Sequence, residues 1–218
     1  MSFQPPPPIY PLTANLAGDH TVLAQELLKG GATWIQIRDK SQLPDRELLR
    51  QLEEIQRTAC RFGASIVVND RADLALATGA AGVHLGQQDL PPARARDLLG
   101  QDRIVGLSTH NLEQFKDACR QPVDYVAVGP IFETGTKPGT SSPLGLEFLR
   151  QIRQLTDRPL VAIGGINLDR AREVWSLGIE SVAVVSDIVQ HESPRQRLSQ
   201  YLELARGLSP RSITRTRS

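Results

Sequence analysis

The feature that most limits what this chain can fold into is a pattern written about eight times over: a short β-branched run, a polar loop, an amphipathic helix. Ile9 to Thr13 reads as the first strand, and Asp19 caps a helix with Val22, Leu23, Leu27 and Leu28 on one face, ended by Gly30-Gly31. Thr33 to Ile37 delivers Arg38, Asp39 and Lys40, and a helix follows with Leu48, Leu52, Ile55, Ala59 and Phe62 at helical spacing. Ser65 to Val68 ends in Asn69-Asp70 before a short helix through Leu74 and Leu76. Gly82 to Leu85 ends in Gly86-Gln87-Gln88-Asp89, then Pro91-Pro92 and a helix to Leu99. Arg103 to Leu107 ends in Ser108-Thr109-His110, with a helix from Asn111 to Arg120. The run from Asp124 breaks at Gly129-Pro130 into a polar loop, Thr134 to Ser142, and a helix with Leu146, Leu149, Ile152 and Leu155. Leu160 to Ile163 ends in Gly164-Gly165-Ile166 before a helix through Val174 and Trp175. Ser181 to Val185 ends at Ser186, and Leu198, Tyr201, Leu202 and Ala205 lie in the last helix.

Such alternation forces parallel strands joined by right-handed crossovers, and eight of them close on themselves. The expected class is therefore α/β, a single (β/α)8 TIM barrel with a parallel eight-stranded core. An open doubly wound sheet is the alternative. It would carry a glycine-rich fingerprint after its first strand, and none is present. A length of 218 residues suits one such barrel. The expected division is a proline-rich leader over 1–8, a catalytic domain over 9–208 and a basic, disordered tail over 209–218.

With a formal charge of +1, no long-range field points to nucleic acid or an anionic membrane. No apolar run approaches the ~18 residues of a membrane span, and the N-terminus lacks the basic and apolar regions of a secretory signal. A cytoplasmic location is expected. Cys60 and Cys119 match no metal spacing and read as buried thiols. The sequence leaves a homo-oligomer open.

Arg38, Lys40, Asn69, Asp70, Gln87, Asp89, Ser108, Thr134, Thr136, Lys137, Gly165 and Ser186 all follow a strand and precede a helix. In a barrel those positions share the C-terminal rim, where active sites are built. Individually they have plainer readings. Asp70 and Asp89 could cap the next helix, His84 could be a satisfied core histidine, His110 a cap, and Gly164-Gly165 a turn. Together they cohere. Two carboxylates beside amides suit Mg²⁺, which completes its shell with water and substrate phosphate oxygens. Arg38, Lys40 and Lys137 add more positive charge than one phosphate needs, and the seventh and eighth loops offer glycine and serine donors for a second anion. The pattern implies a diphosphate with metal on one side and a monophosphate on the other. With no cysteine nucleophile or serine–histidine–acid set, ionisation of a diphosphate ester is the chemistry that fits.

The stretches Gln36-Ile37-Arg38-Asp39-Lys40, Val68-Asn69-Asp70-Arg71, Gly82 to Asp89, Gly106-Leu107-Ser108, Val128 to Lys137, Ala162 to Ile166 and Val184-Val185-Ser186 together resemble the thiamine phosphate synthase family from about Tyr10 to Gly207. The resemblance implies transfer of a hydroxymethylpyrimidine group from its diphosphate to thiazole phosphate, giving thiamine phosphate and diphosphate. It implies that Gln36, Arg38, Lys40, Asn69 and Lys137 hold the pyrimidine diphosphate, with Ser108 on the diphosphate side. Asp70 and Asp89 would bind Mg²⁺. Thr134 and Thr136, with Gly165, Val185 and Ser186, would hold the thiazole phosphate. Arg38, Lys40, Ser108 and Lys137 form the implied catalytic set. The implied route is dissociative, and the thiazole nitrogen that captures the cation needs no base. Two departures stand out: Asp39 where the family commonly has Glu, and Thr13-Ala14-Asn15 where many relatives have Thr-Asp. A thiazole tautomerase-like relative is the nearest rival, but it uses a histidine after strand six, where this chain has Pro130. A phosphate-sensing barrel without catalysis is a third reading.

Overall fold

The computed structural model describes residues 5–14, 19–41, 43–134 and 142–208. Within them, eight short strands lie in one sheet: β1 Ile9–Pro11, β2 Trp34–Ile37, β3 Ser65–Asn69, β4 Gly82–Leu85, β5 Ile104–Thr109, β6 Tyr125–Val128, β7 Leu160–Ile163 and β8 Ser181–Val184. Their order is β1-β8-β7-β6-β5-β4-β3-β2, with every pairing parallel. Leu12 bridges Gln36, and Thr13 N donates to the Gln36 carbonyl at 2.9 Å, so the two end strands meet. The sheet closes as the alternation predicts.

The helices are α1 His20–Lys29, α2 Asp45–Phe62, α3 Ala72–Thr78, α4 Pro92–Leu99, α5 Leu112–Ala118, α6 Gly145–Arg153, α7 Leu168–Ser176, α8 Ser186–Val189 and α9 Pro194–Gly207. Their starts follow capping chemistry. Asp19 accepts from Thr21 N at 2.7 Å, and Asn111, Asn167 and Ser193 accept in the same way for α5, α7 and α9. Several apolar residues read into the helical patterns are exposed: Val22, Phe62, Leu76 and Leu155. In α1 the buried stripe is His20, Thr21, Ala24, Leu27 and Leu28, and Val22 falls about 200° from Ala24 around the axis. The helix α6 stops at Arg153, so Leu155 lies past the packed turn. The thiols also depart from expectation, since Cys60 is exposed and Cys119 only half-buried.

Successive strand residues face opposite ways, which divides the core in two. Ile35, Ile66, Val68, Val83 and Val105 meet the helices. Tyr10, Leu12, Trp34, Val67, Tyr125, Ala127, Val161 and Ala183 fill the barrel interior. The aromatic rings there meet edge to face, Tyr10–Trp34 at 5.6 Å and Tyr10–Tyr125 at 6.1 Å between centroids. Gly106 on β5 makes room for this plug, because a Cβ there would stand 2.1 Å from Cζ of Tyr125.

Polar latches close the opposite, N-terminal end. Asp124 accepts from Val105 N and from Arg96, and Glu180 accepts from Leu160 N and Arg153. The buried Arg96 guanidinium also holds several backbone carbonyls, Arg103 O among them. Groups that stabilise this end leave the other end free for chemistry. The proline run is anchored at the barrel: Pro8 O accepts from Val182 N at 2.9 Å and from Trp175 Nε1 at 3.1 Å. The tail at 209–218 lies outside the described residues.

Candidate active site

The connections that leave the C-terminal ends of the strands bring the polar residues to one end, around a cavity of about 570 Å³. Gln36, Arg38, Lys40, Asn69, Asp70, Asp89, Ser108, Thr134, Gly165, Val185 and Ser186 all line it. Two further candidates, Thr136 and Lys137, lie outside the described residues.

Neither carboxylate is a helix cap. Arg71 and Pro91 occupy the cap positions of α3 and α4, and neither helix has a side-chain cap bond. Asp70 instead has φ 64°, the one positive φ at a non-glycine among the described residues. Asp tolerates this left-handed conformation better than most residues, and such strain clusters at functional sites. Asp89 is turned back over the end of β4, where it accepts from Gly86 N at 2.6 Å. The two carboxyl groups come within hydrogen-bonding reach of each other. Burial raises the Asp89 pKa, and the neighbouring Asp70 charge raises it further against the Gly86 N–H. Burial also acts to raise Asp70, but Lys40 and the bond shared with Asp89 outweigh it and leave Asp70 below its usual value.

Lys40 Nζ donates to Asp70 Oδ2 at 2.7 Å. Arg38 is half-buried beside them; desolvation lowers its pKa while the Asp70 charge opposes that shift. Asp39 faces away from the cavity. It accepts from Ser41 N at 2.9 Å and from Leu43 N at 2.9 Å, and so folds the loop that carries its two cationic neighbours.

The donor set fits a hard divalent ion. Two carboxylates in mutual contact are a like-charge pair that a cation relieves, and Asn69 and Gln87 lie on the same wall. Among the described residues no group of three or more His, Cys, Asp or Glu could hold a metal. An ion on Asp70 and Asp89 therefore needs water or ligand oxygens to complete its shell, which suits Mg²⁺ better than zinc.

The opposite wall is built from backbone. Gly164 and Gly165 have φ 101° and 65°, and a Cβ on Gly165 would meet Glu133 O at 2.4 Å. Arg170 donates to Gly165 O at 2.6 Å and stacks over the Phe132 ring, fixing this turn. Val185 and Ser186 open the short helix α8 beside it. Asp187, next in the chain, points away and is held by Arg197 (2.8 and 3.0 Å) and by the Tyr201 hydroxyl (2.6 Å).

The cavity is also lined by residues outside the candidate site set: Tyr10, Tyr125, His84 and His110. His84 is a satisfied interior histidine as expected, 7% exposed, yet it also reaches the site through Ser108 Oγ at 2.8 Å. Burial pushes its pKa down to about 4. His110 Nδ1 lies 2.6 Å from Gly129 O, and the cap of α5 is Asn111 instead. For Tyr125 the available signal was parity: it alternates along β6 with Ala127, and both line the cavity.

The family model described as thiamine monophosphate synthase matches residues 9–188. A thiamine-phosphate synthase from Koribacter versatilis is 46% identical over 184 residues, covering 84% of this chain and 85% of its own. One from Moorella thermoacetica is 42% identical over 204 residues, covering 90% and 95%. Among solved structures, a thiamine phosphate pyrophosphorylase from Pyrococcus furiosus superposes with a TM-score of 0.85 at 33% identity, covering 93% of this chain and 97% of its own.

Proposed function

This chain belongs to the thiamine monophosphate synthase family, and we propose that its rim joins a hydroxymethylpyrimidine diphosphate to a thiazole phosphate, giving thiamine phosphate and releasing diphosphate. It is a transferase. What supports the reading is one cavity lined both by Arg38, Lys40, Asp70 and Asp89 and by the Gly165 and Ser186 turns, groups whose chemistry suits two anions.

In this reading Arg38, Lys40, Asn69 and Lys137 surround the diphosphate, with Gln36 at the floor beside the pyrimidine. Asp70 and Asp89 would hold Mg²⁺, which would supply Lewis-acid stabilisation to the diphosphate when bound. The carbon–oxygen bond breaks first, and its electron pair leaves with the diphosphate. The cations and the Ser108 hydroxyl stabilise charge as it develops there, where such contacts matter most. The thiazole phosphate sits on Gly165, Val185 and Ser186, with Thr134 and Thr136 supplying hydroxyls, and so aims the thiazole nitrogen at the methylene cation. Its lone pair closes the carbon–nitrogen bond. No proton is removed, and both nitrogens of the neutral His84 are already engaged. The catalytic unit is taken as 9–208.

The test mixes both substrates with the purified protein and Mg²⁺ and follows thiamine phosphate. Product should form, stop on chelation and return with added Mg²⁺. No product under these conditions refutes the reading, and isomerisation of a thiazole phosphate alone would mark the tautomerase-like relative instead.

A further inference from the structure

Beneath the cavity, four buried side chains from four strands form one hydrogen-bonded line. Gln36 Nε2 donates to Tyr10 Oη at 3.2 Å, Tyr10 Oη lies 3.3 Å from Tyr125 Oη, and Tyr125 Oη lies 2.8 Å from His84 Nδ1. The line ends with His84 Nε2, 2.8 Å from Ser108 Oγ at the cavity wall. Its members are held firmly: the His84 and Tyr125 rings stack 14° from parallel, and Gly106 leaves the space in which Tyr125 lies.

Counting protons gives this line a direction. A tyrosine hydroxyl has one proton to donate, and a neutral imidazole has one N–H and one acceptor nitrogen. Burial keeps both tyrosines protonated, and His84, 7% exposed with hydroxyls rather than carboxylates at both ring nitrogens, is held neutral. With Gln36 Nε2 rather than the unpartnered Oε1 turned to Tyr10, the Tyr10 hydroxyl accepts from the amide, and among the described residues Tyr125 is the one partner left for its proton. Tyr125 therefore accepts from Tyr10 and gives its own proton to His84 Nδ1. That leaves the imidazole hydrogen on Nε2, pointing at Ser108 Oγ.

We propose that Tyr125 is a positioning residue: by donating to Nδ1 it fixes His84 as the Nε2–H tautomer, so that Ser108 Oγ accepts from below and directs its own proton into the cavity. The opposite tautomer would turn Ser108 around. Its hydroxyl would then donate to His84 and present only lone pairs to an anionic ligand. This inference rests on the reading of Ser108 as a contact on the diphosphate side, but the tautomer itself can be observed without any substrate.

The experiment has two arms. In ¹⁵N-labelled protein near neutral pH, long-range imidazole correlation spectra should show His84 as the Nε2–H form, assigned by its disappearance in His84→Gln. Tyr125→Phe keeps the ring and removes the donor, and should let the Nδ1–H form appear. In the second arm, Tyr125→Phe should lower kcat for thiamine phosphate formation roughly tenfold, the scale of one lost hydrogen bond. It should cost little more in a Ser108→Ala background, because the two act through one contact. A wild-type His84 in the Nδ1–H form overturns the proposal, as does an unchanged tautomer in Tyr125→Phe or an equal loss in both backgrounds. If Tyr125→Phe does not fold, the wild-type spectrum still decides, with Tyr10→Phe as the second variant. Absence of thiamine phosphate in the wild type would count against the proposed function and leave the tautomer measurement standing.

Discussion

Replacing Lys40 by methionine should weaken catalysis while tightening the metal. The ammonium donates to Asp70 at 2.7 Å, with the two side chains 53% and 29% exposed. An ion pair this open to solvent is worth about 0.2–1 kcal/mol. The fold therefore loses less than about 1 kcal/mol when Lys40 becomes Met, a residue of similar shape. Yet the same pair competes with any cation for Asp70. Removing that competitor releases at most the energy of the pair, which corresponds to roughly a two- to fivefold gain in Mg²⁺ affinity. Turnover should move the other way. A charge lost beside a departing diphosphate acts at the transition state, where one electrostatic contact is worth on the order of a hundredfold in rate. Calorimetric titration with Mg²⁺, urea unfolding and steady-state rates at saturating metal would read the three quantities separately. Weaker or unchanged metal affinity would refute the shared-carboxylate reasoning. Near wild-type turnover at saturating metal would remove Lys40 from the site.

Three other outcomes follow from the same geometry. Gly106→Ala places a Cβ 2.1 Å from Cζ of Tyr125 and should destabilise the barrel by roughly 1–3 kcal/mol in urea, with unchanged stability contradicting the plug. Gly165→Ala strains a residue at φ 65° and pushes on Glu133 O, so it should raise KM for the thiazole phosphate well above any change for the pyrimidine diphosphate; equal shifts would dissolve the two-wall division. Burial lowers His84 from 6.5 to about 4, so the unfolded chain takes up a proton in that window that the folded chain refuses. Its contribution to stability is complete above about pH 6.5 and is lost as pH falls towards about 4, a span worth roughly 3 kcal/mol. Wild type should therefore lose more stability than His84→Gln between about pH 7 and pH 4.5, and equal losses would mean that the imidazole is not held neutral.

Much of this site was legible in the chain. Helical and strand periods are local, short loops leave little freedom in where the next element starts, and parallel connection sends every post-strand loop to the same end. The sequence alone thus gathers Arg38, Asn69, Asp70, Asp89, Ser108, Gly165 and Ser186 on one rim. Side-chain direction was not available in the same way. Whether Asp70 capped α3 or turned inward depended on its left-handed backbone, and its contact with Asp89 on the Asp70 hydrogen bond to the carbonyl of His84 (2.7 Å). Val22 and Phe62 read as core because they are apolar, but burial follows the face a helix presents to its neighbours.

The line from Gln36 to Ser108 marks the boundary most clearly. Tyr10 and Tyr125 are 115 residues apart, and each alone reads as an ordinary strand aromatic. Period-2 alternation says that one face of a strand is shared by every second residue, but not whether that face looks into the barrel or out to the helices. Closure between Leu12 and Gln36 settles that choice for all eight strands at once. The amino-acid order therefore determined the repeating units and the end at which their polar loops gather. Only the closed barrel decided which side chains meet across its axis, because those contacts exist once every strand has taken its tilt and register together.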